Sequence, residues 1–191
     1  MEIIVAVDEN YGIGKDGDLL AHLSPDLKRL KAMTVGNIIV MGSKTYMSFP
    51  KRPLPDRENL IITHHPENYP GIKCFTGVDE FLEYSKTADK PIFVLGGGSV
   101  YEQLLPYCEK AHITKILHSF EADTFFPDLD NNPEWEKESE EDIVTGEKYP
   151  FRYVTYVRRK KINLFAGSCD FVSQAPLSLY LVAVALRYTI C

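Results

Sequence analysis

The sequence has few cysteines, and none of them lies close to another. Cys74, Cys108, Cys169 and Cys191 stand far apart, and no cysteine or histidine cluster has the spacing of a metal site. This pattern predicts free thiols in a reducing compartment, with neither a disulfide framework nor a bound metal. We therefore expect a cytoplasmic protein.

Positive charge is also scarce, and a segment long enough to span a membrane is missing. The chain has 21 Lys and Arg against 27 Asp and Glu, a net charge of -6, which argues against a dedicated nucleic-acid binder. Residues 177–186 are apolar but reach only about half of the roughly 20 residues that cross a bilayer. The N-terminus lacks a basic segment before its apolar one, so we expect no signal peptide. We also expect no membrane partner and a monomeric protein.

Short apolar runs alternate with one-faced helical patterns in the first part of the chain. The apolar runs are Glu2–Val7 and residues 37–42, 58–63, 72–75 and 91–95. Alternation of this kind predicts a largely parallel α/β sheet. From Ala111 onward the strand patterns at 112–117, 135–140 and 151–157 follow one another without helices. We therefore predict a single-domain α/β fold with a mostly parallel central sheet, flanking helices and an antiparallel C-terminal edge.

A glycine-rich loop at residues 12–17 leads into a helical pattern that ends near Thr34. Ser24 is predicted to cap this helix and Pro25 to begin it, which places Asp26 in the first turn. An acid at this position can simply complement the helix dipole. If Asp26 is buried instead, it needs a polar partner, and Thr114 in an apolar strand is a plausible one.

Three predicted strands end in glycine or at a helix start that a side chain can cap. These ends are Gly42-Ser43, Thr63-His64 and the run from Gly96 to Ser99. The carboxyl ends of parallel strands share one edge, where helix N-termini offer N–H groups to phosphates. The pattern favours a dinucleotide site, with Lys44 and His64 as phosphate partners, although glycines after strands often serve only as tight turns.

Residues 50–57 contain three prolines and predict an exposed, stiff connection. Arg57 at its end is suited to bidentate capture of a carboxylate. The alternative is that Arg57 is one more surface cation.

Five segments together resemble dihydrofolate reductase, and the resemblance covers residues 3–158. The segments are Gly-Ile-Gly-Lys-Asp-Gly at 12–17 with Asp26 and Thr34, Val-Met-Gly-Ser-Lys-Thr-Tyr at 40–46, Arg-Pro-Leu-Pro-Asp-Arg at 52–57, Val-Leu-Gly-Gly-Gly-Ser-Val-Tyr-Glu at 94–102, and Ala-Asp-Thr-Phe-Phe-Pro at 122–127. The resemblance implies reduction of 7,8-dihydrofolate to tetrahydrofolate, with hydride passing from NADPH to C6 of the pterin and a proton reaching N5.

The resemblance also implies residue roles. Asp26 and its partner Thr114 match the buried pterin anchor, and Leu19 matches a position beside the nicotinamide; these three are the implied catalytic residues. The other implied substrate residues are Val5, Ala6, Leu27, Leu30, Phe49 and the glutamate clamp Arg57. The implied cofactor residues are Ala6, Ile13, Gly14, Gly42, Ser43, Lys44, Thr45, Thr63, His64, Gly96, Gly97, Gly98, Ser99, Val100 and Tyr101. A cis peptide bond between Gly96 and Gly97 is implied as well.

Two departures from the family pattern affect these expectations. Leu20 and Ala21 stand where the family usually has proline and tryptophan, so we predict slow turnover and altered antifolate inhibition. Ser43 and Ser99 stand where the family often supplies an arginine for the 2′-phosphate of NADPH. Lys44 and His64 are predicted to replace that arginine.

Two alternative functions also fit the sequence, and one region has two alternative roles. A pyrimidine reductase of riboflavin synthesis shares the fold and the cofactor, and a non-catalytic folate or nucleotide-binding module is the alternative from another class. We divide the chain into a reductase-like domain at 1–161 and a C-terminal extension at 162–191. The extension is either an accessory or non-native segment or a self-association element.

Overall fold

The central strands are buried on both faces, which explains their continuous apolar sequences. In the computed structural model, which describes residues 1–160, the side chains along one such strand alternate between two layers. Ile38 and Val40 belong to one hydrophobic cluster, whereas Ile39 and Met41 belong to the other. This period of two places a helical layer on each side of the sheet.

The described residues contain eleven strands and four α-helices. The strands are β1 (Glu2–Val7), β2 (Gly12–Lys15), β3 (Asp18–Leu19), β4 (Ile38–Gly42), β5 (Glu58–Ile62), β6 (Lys73–Phe75), β7 (Ile92–Val94), β8 (Lys110–Ile116), β9 (Thr124–Phe125), β10 (Trp135–Glu140) and β11 (Phe151–Arg158). The helices are α1 (Ser24–Thr34), α2 (Ser43–Ser48), α3 (Val78–Ser85) and α4 (Gly98–Leu104).

Eight strands form the main sheet in the order β10-β11-β8-β1-β7-β4-β5-β6. Strands β8, β1, β7, β4, β5 and β6 are parallel to their neighbours within this group. Strand β11 runs antiparallel to both β8 and β10. The predicted fold class, a mostly parallel α/β sheet with an antiparallel C-terminal edge, is confirmed.

The two hydrophobic clusters hold different helices against the sheet. Phe81 of α3 and Tyr101 and Leu104 of α4 pack in the larger cluster. Leu30 of α1 and Tyr46 of α2 pack in the cluster on the other face. Helix α2 follows β4 directly and α4 follows β7 after a short turn, whereas the first turn of α1 reaches β8 through Asp26 and Thr114, and this arrangement shapes the cleft described below.

The predicted side-chain caps of two helices are wrong. Helix α1 begins at Ser24, and its N-cap is Leu23, whose carbonyl accepts a 3.1 Å bond from the Leu27 N–H. Helix α2 likewise begins at Ser43 after Gly42, and neither helix has a side-chain cap bond. Leu23 is only 4% exposed and packs with Ile116 and Phe151. Tertiary burial of Leu23 therefore fixes the start of α1, whereas the sequence pattern suggested local capping.

A second, small sheet has the order β3-β2-β9 and was not predicted. A turn with positive φ at Asp16 (53°) and Gly17 (84°) joins β2 to β3. Strand β9 lies within the Ala-Asp-Thr-Phe-Phe-Pro segment at 122–127. This sheet holds the glycine-rich loop at 12–17 against the segment that follows β8.

Residues Met1–Arg159 form one compact unit. The predicted extension at 162–191, with its apolar segment, Cys169 and Cys191, lies outside the described residues, so the domain division stays a prediction. Cys74 and Cys108 are free thiols. Among residues 1–160, no helix has the length and apolar character to cross a membrane, and no cluster of His, Cys, Asp and Glu is arranged to hold a metal.

Candidate active site

Asp26 and Thr114 meet at the edge of the sheet. Thr114 lies in β8 and is 2% exposed, and its Oγ1 donates a 2.5 Å hydrogen bond to Asp26 Oδ1. Helix α1 brings Asp26 to this strand in its first turn. The carboxylate therefore has the polar partner that burial requires, as the sequence predicted.

Burial raises the pKa of Asp26 above its ordinary value. The hydrogen bond from Thr114 and the positive charge of Arg29 oppose this shift but do not cancel it. A carboxyl group with a raised pKa exchanges its proton closer to neutral pH. Such a shift in a cleft is typical of a functional group, although structural acids also show it.

Asp26 faces a cavity that we call the inner pocket. Predicted substrate and catalytic residues from four parts of the chain form its wall, namely Val5, Ala6, Leu19, Asp26, Leu27, Leu30 and Phe49. Apart from the charged or polar Asp18, His22, Asp26, Thr45 and Ser48, the wall is apolar. An apolar slot with one buried carboxylate suits a flat heteroaromatic ring that carries N–H donors.

A middle pocket adjoins the inner one and shares Val5, Ala6, Leu19 and Thr45 with it. The predicted cofactor residues that line the middle pocket are Ala6, Ile13, Gly14, Lys44, Thr45, Gly97, Gly98 and Tyr101. Strand β2 places Ile13 and Gly14 here, so the small sheet forms one side of this pocket.

An outer pocket continues from the middle one through Lys44, Thr45, Gly97 and Gly98. The predicted residues that line it are Gly42, Ser43, Lys44, Thr45, Thr63, His64, Gly97, Gly98, Ser99 and Val100. The three strand ends predicted from the sequence therefore meet in one groove. Together the three pockets form one continuous cleft along the carboxyl edge of the parallel strands.

The glycines at the end of β7 allow the backbone to come close to its neighbours. A Cβ at Gly98 would lie 2.8 Å from the Thr124 methyl carbon, and one at Gly97 would lie 3.2 Å from Thr45 Oγ1. The peptide bond between Gly96 and Gly97 is cis, as the resemblance implies. A groove kept free of side chains at a helix start suits a pyrophosphate group, so the residues present fit a dinucleotide.

Gly96 itself lines none of the three pockets but supports their floor. Its carbonyl accepts a 2.6 Å bond from the Gly42 N–H, which ties β4 to this turn. A Cβ on Gly96, whose φ is 104°, would lie 2.6 Å from the Tyr101 ring. Tyr101 is 4% exposed and donates a 2.7 Å hydrogen bond to the Ile4 carbonyl. Burial and the charge of Asp26 both raise the pKa of this phenol.

Arg57 lies outside the inner pocket, beside the C-terminal end of α1. Its guanidinium donates to the Pro55 carbonyl at 2.9 Å and to Thr34 Oγ1 at 3.2 Å. Thr34 is fully buried. These bonds orient the guanidinium and make it more than a free surface cation. Arg57 is partly buried, and burial lowers its pKa from a very high ordinary value.

Several residues of the cleft were missed in the sequence. They include Leu95, Ser48, Asp18, His22, Thr76 and Thr124. Leu95 follows β7 directly, so its position at the end of a strand could have indicated that it lines the cleft. Ser48 is the last residue of α2, and the others lie on turns or on the small sheet, for which the sequence had no periodic signal. Ala21 lines the inner pocket and Leu20 a neighbouring groove, and slow turnover stays a prediction.

Comparison with known proteins identifies the family. The family model described as dihydrofolate reductase matches residues 1–158. The chain belongs to the dihydrofolate reductase family. Among its relatives, the dihydrofolate reductase of Bacillus subtilis is 37% identical over 168 residues, which cover 87% of this chain and 98% of the relative. That of Staphylococcus haemolyticus is 35% identical over 158 residues, which cover 82% and 93%.

A solved dihydrofolate reductase has the same fold. The enzyme from Enterococcus faecalis, complexed with NADP(H) and RAB-propyl, is 34% identical, with a TM-score of 0.75 over 83% of this chain and 96% of that one. Membership of the dihydrofolate reductase family confirms the sequence resemblance and the assignment as an NADP-dependent oxidoreductase that reduces dihydrofolate. It favours neither the pyrimidine reductase nor the binding module.

Proposed function

We propose that the inner pocket binds the pterin of 7,8-dihydrofolate and that Asp26 anchors it. The single observation that carries this proposal is the partly buried Asp26–Thr114 pair, which offers a fixed carboxylate in an otherwise largely apolar slot. A carboxylate of this kind pairs with adjacent N–H donors of a pterin. Leu27, Leu30 and Phe49 supply the apolar walls for the ring system.

Arg57 binds the glutamate α-carboxylate of the substrate in this proposal. Its guanidinium is held by Pro55 and Thr34 at the end of α1, one helix length from Asp26. A planar, oriented cation beyond the mouth of the pocket suits the free end of a long substrate. The distance along α1 thus separates the two ends that the protein recognises.

NADPH occupies the middle and outer pockets, and when bound it supplies the hydride. Ala6, Ile13 and Gly14 place a flat ring beside the inner pocket, and Leu19 lines both pockets. Gly97 and Gly98 leave room for the pyrophosphate at the start of α4, while Lys44 provides positive charge and His64 a ring nitrogen for the 2′-phosphate. Val5 and Ala6 lie where the two rings would meet.

The proton that reaches N5 comes from water, and Asp26 favours its uptake. The raised pKa of Asp26 shows that negative charge in this site is costly. Binding of a proton within the pocket relieves that cost. Asp26 thus orients the pterin and polarises it, whereas Thr114 keeps the carboxylate in place.

We further propose that the chain works as a monomer in the cytoplasm and binds no nucleic acid. The net charge of -6 supports the last point. The free thiols at Cys74 and Cys108 are compatible with a reducing compartment. The family match at residues 1–158 supports the proposed division into a domain at 1–161 and an extension at 162–191.

The decisive test is consumption of NADPH by the full chain with dihydrofolate. We expect loss of absorbance at 340 nm only when both are present, with one NADPH oxidised for each dihydrofolate reduced. A binding module would shift NADPH fluorescence without consuming the cofactor. Unchanged NADPH absorbance, together with equal behaviour of wild type and Asp26→Asn, would overturn the proposal.

A further inference from the structure

Arg29 lies next to Asp26 on α1 and is held by Tyr153 of β11 and by Glu141, which follows β10. Arg29 follows Asp26 by one turn on α1, a spacing that puts two side chains on the same helix face. Its guanidinium carbon lies 3.9 Å from the centroid of the Tyr153 ring on β11, and its NH2 lies 3.8 Å from Glu141 Oε1. The Arg29 side chain is 23% exposed. The cation is therefore fixed at the site and only partly screened by water.

The groups around Asp26 have different effects on its charge. Burial raises its pKa, and Thr114 and Arg29 lower it. Tyr153 and Tyr101 are neutral phenols near it, and burial and the charge of Asp26 both raise their pKa values. The other charged or titratable groups nearby are Glu141, which partly neutralises Arg29, and Asp18 and His22, which share the inner pocket. Arg29 is thus the cation that acts directly on the Asp26 carboxylate.

We propose that Arg29 is a positioning residue that sets the pH range in which the Asp26 site takes up its proton, and that Tyr153 and Glu141 hold it in place. This inference rests on the proposed role of Asp26. A free arginine in the same helix would be screened by solvent. Contact with an aromatic face and a carboxylate keeps the charge at a constant distance from Asp26.

The direction of the effect follows from the proton balance of the reaction. Dihydrofolate, NADPH and one proton give tetrahydrofolate and NADP⁺; the hydride carries its electron pair to C6, and the proton goes to N5. A positive charge at Arg29 opposes proton uptake anywhere in the pocket, on Asp26 or on the pterin. Its removal should strengthen proton binding. The rate should then decline at a higher pH. We call the pH at which the rate has fallen to half of its low-pH value the alkaline midpoint.

The test compares the pH dependence of hydride transfer in single turnovers of the full chain. Arg29→Met removes the charge but keeps most of the stem, and we expect its alkaline midpoint to rise by about 0.5 to 1 pH unit. Arg29→Lys retains the charge and should keep the midpoint close to that of wild type. Lys28→Met removes a neighbouring exposed charge that faces away from Asp26 and should leave the midpoint unchanged.

A purely structural role for Arg29 would lower the rate at every pH without moving the midpoint, and that result would overturn the inference. If Arg29→Met does not fold, as judged by thermal melting, Arg29→Gln removes the same charge and takes its place. Asp26→Asn separates the two proposals. If Asp26→Asn turns over as fast as wild type, the proposed function is contradicted. If Asp26→Asn loses activity but the alkaline midpoint of Arg29→Met equals that of wild type, this inference alone is contradicted.

Discussion

Thr114 Oγ1 donates a 2.5 Å hydrogen bond to Asp26 Oδ1 although the two residues lie 88 positions apart. The bond connects the first turn of α1 to the C-terminal part of β8. It orients one carboxylate oxygen and leaves the other available to a ligand in the inner pocket. The geometry of this pair therefore determines how a pterin would be placed against the cofactor.

Thr114→Val tests the contribution of this hydrogen bond while keeping the side-chain shape. Loss of a hydrogen bond to a charged group costs about 1.5 to 3 kcal/mol, so we expect kcat/KM for dihydrofolate to fall roughly tenfold or more. Thr114→Ser retains the hydroxyl and should recover most of the activity. Steady-state NADPH oxidation measures both variants. Equal activity of Thr114→Val and wild type would show that the bond has no functional role.

Arg57→Met should weaken binding of dihydrofolate with a smaller effect on turnover. Removal of a cation that pairs with a carboxylate should raise KM about tenfold or more. A dihydropterin without the glutamate tail provides the control, because its KM should not change in the same variant. An equal rise in KM for both substrates would indicate that Arg57 supports the fold and does not bind the carboxylate.

Lys44→Met and His64→Gln should each reduce the preference for NADPH over NADH. Both side chains line the outer pocket, and among residues 1–160 neither forms an ion pair. We expect the ratio of kcat/KM values for the two cofactors to fall about fivefold in each variant, since one polar contact to the 2′-phosphate is lost. Lys86→Met removes a surface lysine that pairs with Glu83 and serves as the control. Equal efficiency of the wild type with NADH would contradict the proposed cofactor preference.

Asp130 connects the small sheet's loop to the main sheet, and its effect on stability should depend on pH. Burial would raise its pKa, but hydrogen bonds from Lys115, Tyr156 and Tyr11 outweigh burial and hold the pKa at about 2. Because this value lies below the ordinary one of about 3.9, the stabilisation is complete above that pH and is lost as the pH falls towards 2.

Asp130→Asn should therefore lower the melting temperature at pH 7 by about 3 °C, with the difference from wild type closing between about pH 4 and pH 2. Asp142→Asn changes an exposed acid after β10 and should have no effect at either pH. Thermal melting by circular dichroism measures all three proteins. A difference that stays constant across this pH range would contradict the assignment.

The strand ends that line the cleft could be predicted from the sequence because their signals are local. Each strand end that meets a glycine marks the same edge of a parallel sheet, so Gly42, Thr63 and Gly97 were placed correctly in one groove. Asp26 and Thr114 were predicted as partners because a buried acid requires one. The first inference uses chemistry within a few residues of each motif and the topology rule for parallel strands, whereas the second pairs residues 88 positions apart on the requirement of a buried acid for a polar partner.

The small sheet and the surroundings of Arg29 could not be predicted. Strands β3 and β9 contain two residues each, too few to show a periodic pattern, and they pair with β2 across the fold. The contact of Arg29 with Tyr153 likewise depends on how α1 packs against β11. The predicted cap at Ser24 failed for the same reason, since burial of Leu23 outweighed local capping.

The central claim is that Asp26 anchors the pterin, and single-turnover hydride transfer in Asp26→Asn tests it most directly. The matched control is Asp79→Asn, which removes an exposed acid from the first turn of α3. We predict that Asp26→Asn still binds NADPH but transfers hydride to dihydrofolate at least 100-fold more slowly at pH 7, a loss of about 2.7 kcal/mol in transition-state stabilisation. Asp79→Asn should match wild type. Equal rates for Asp26→Asn and Asp79→Asn would contradict the claim and would leave Asp26 as a partner of the helix dipole.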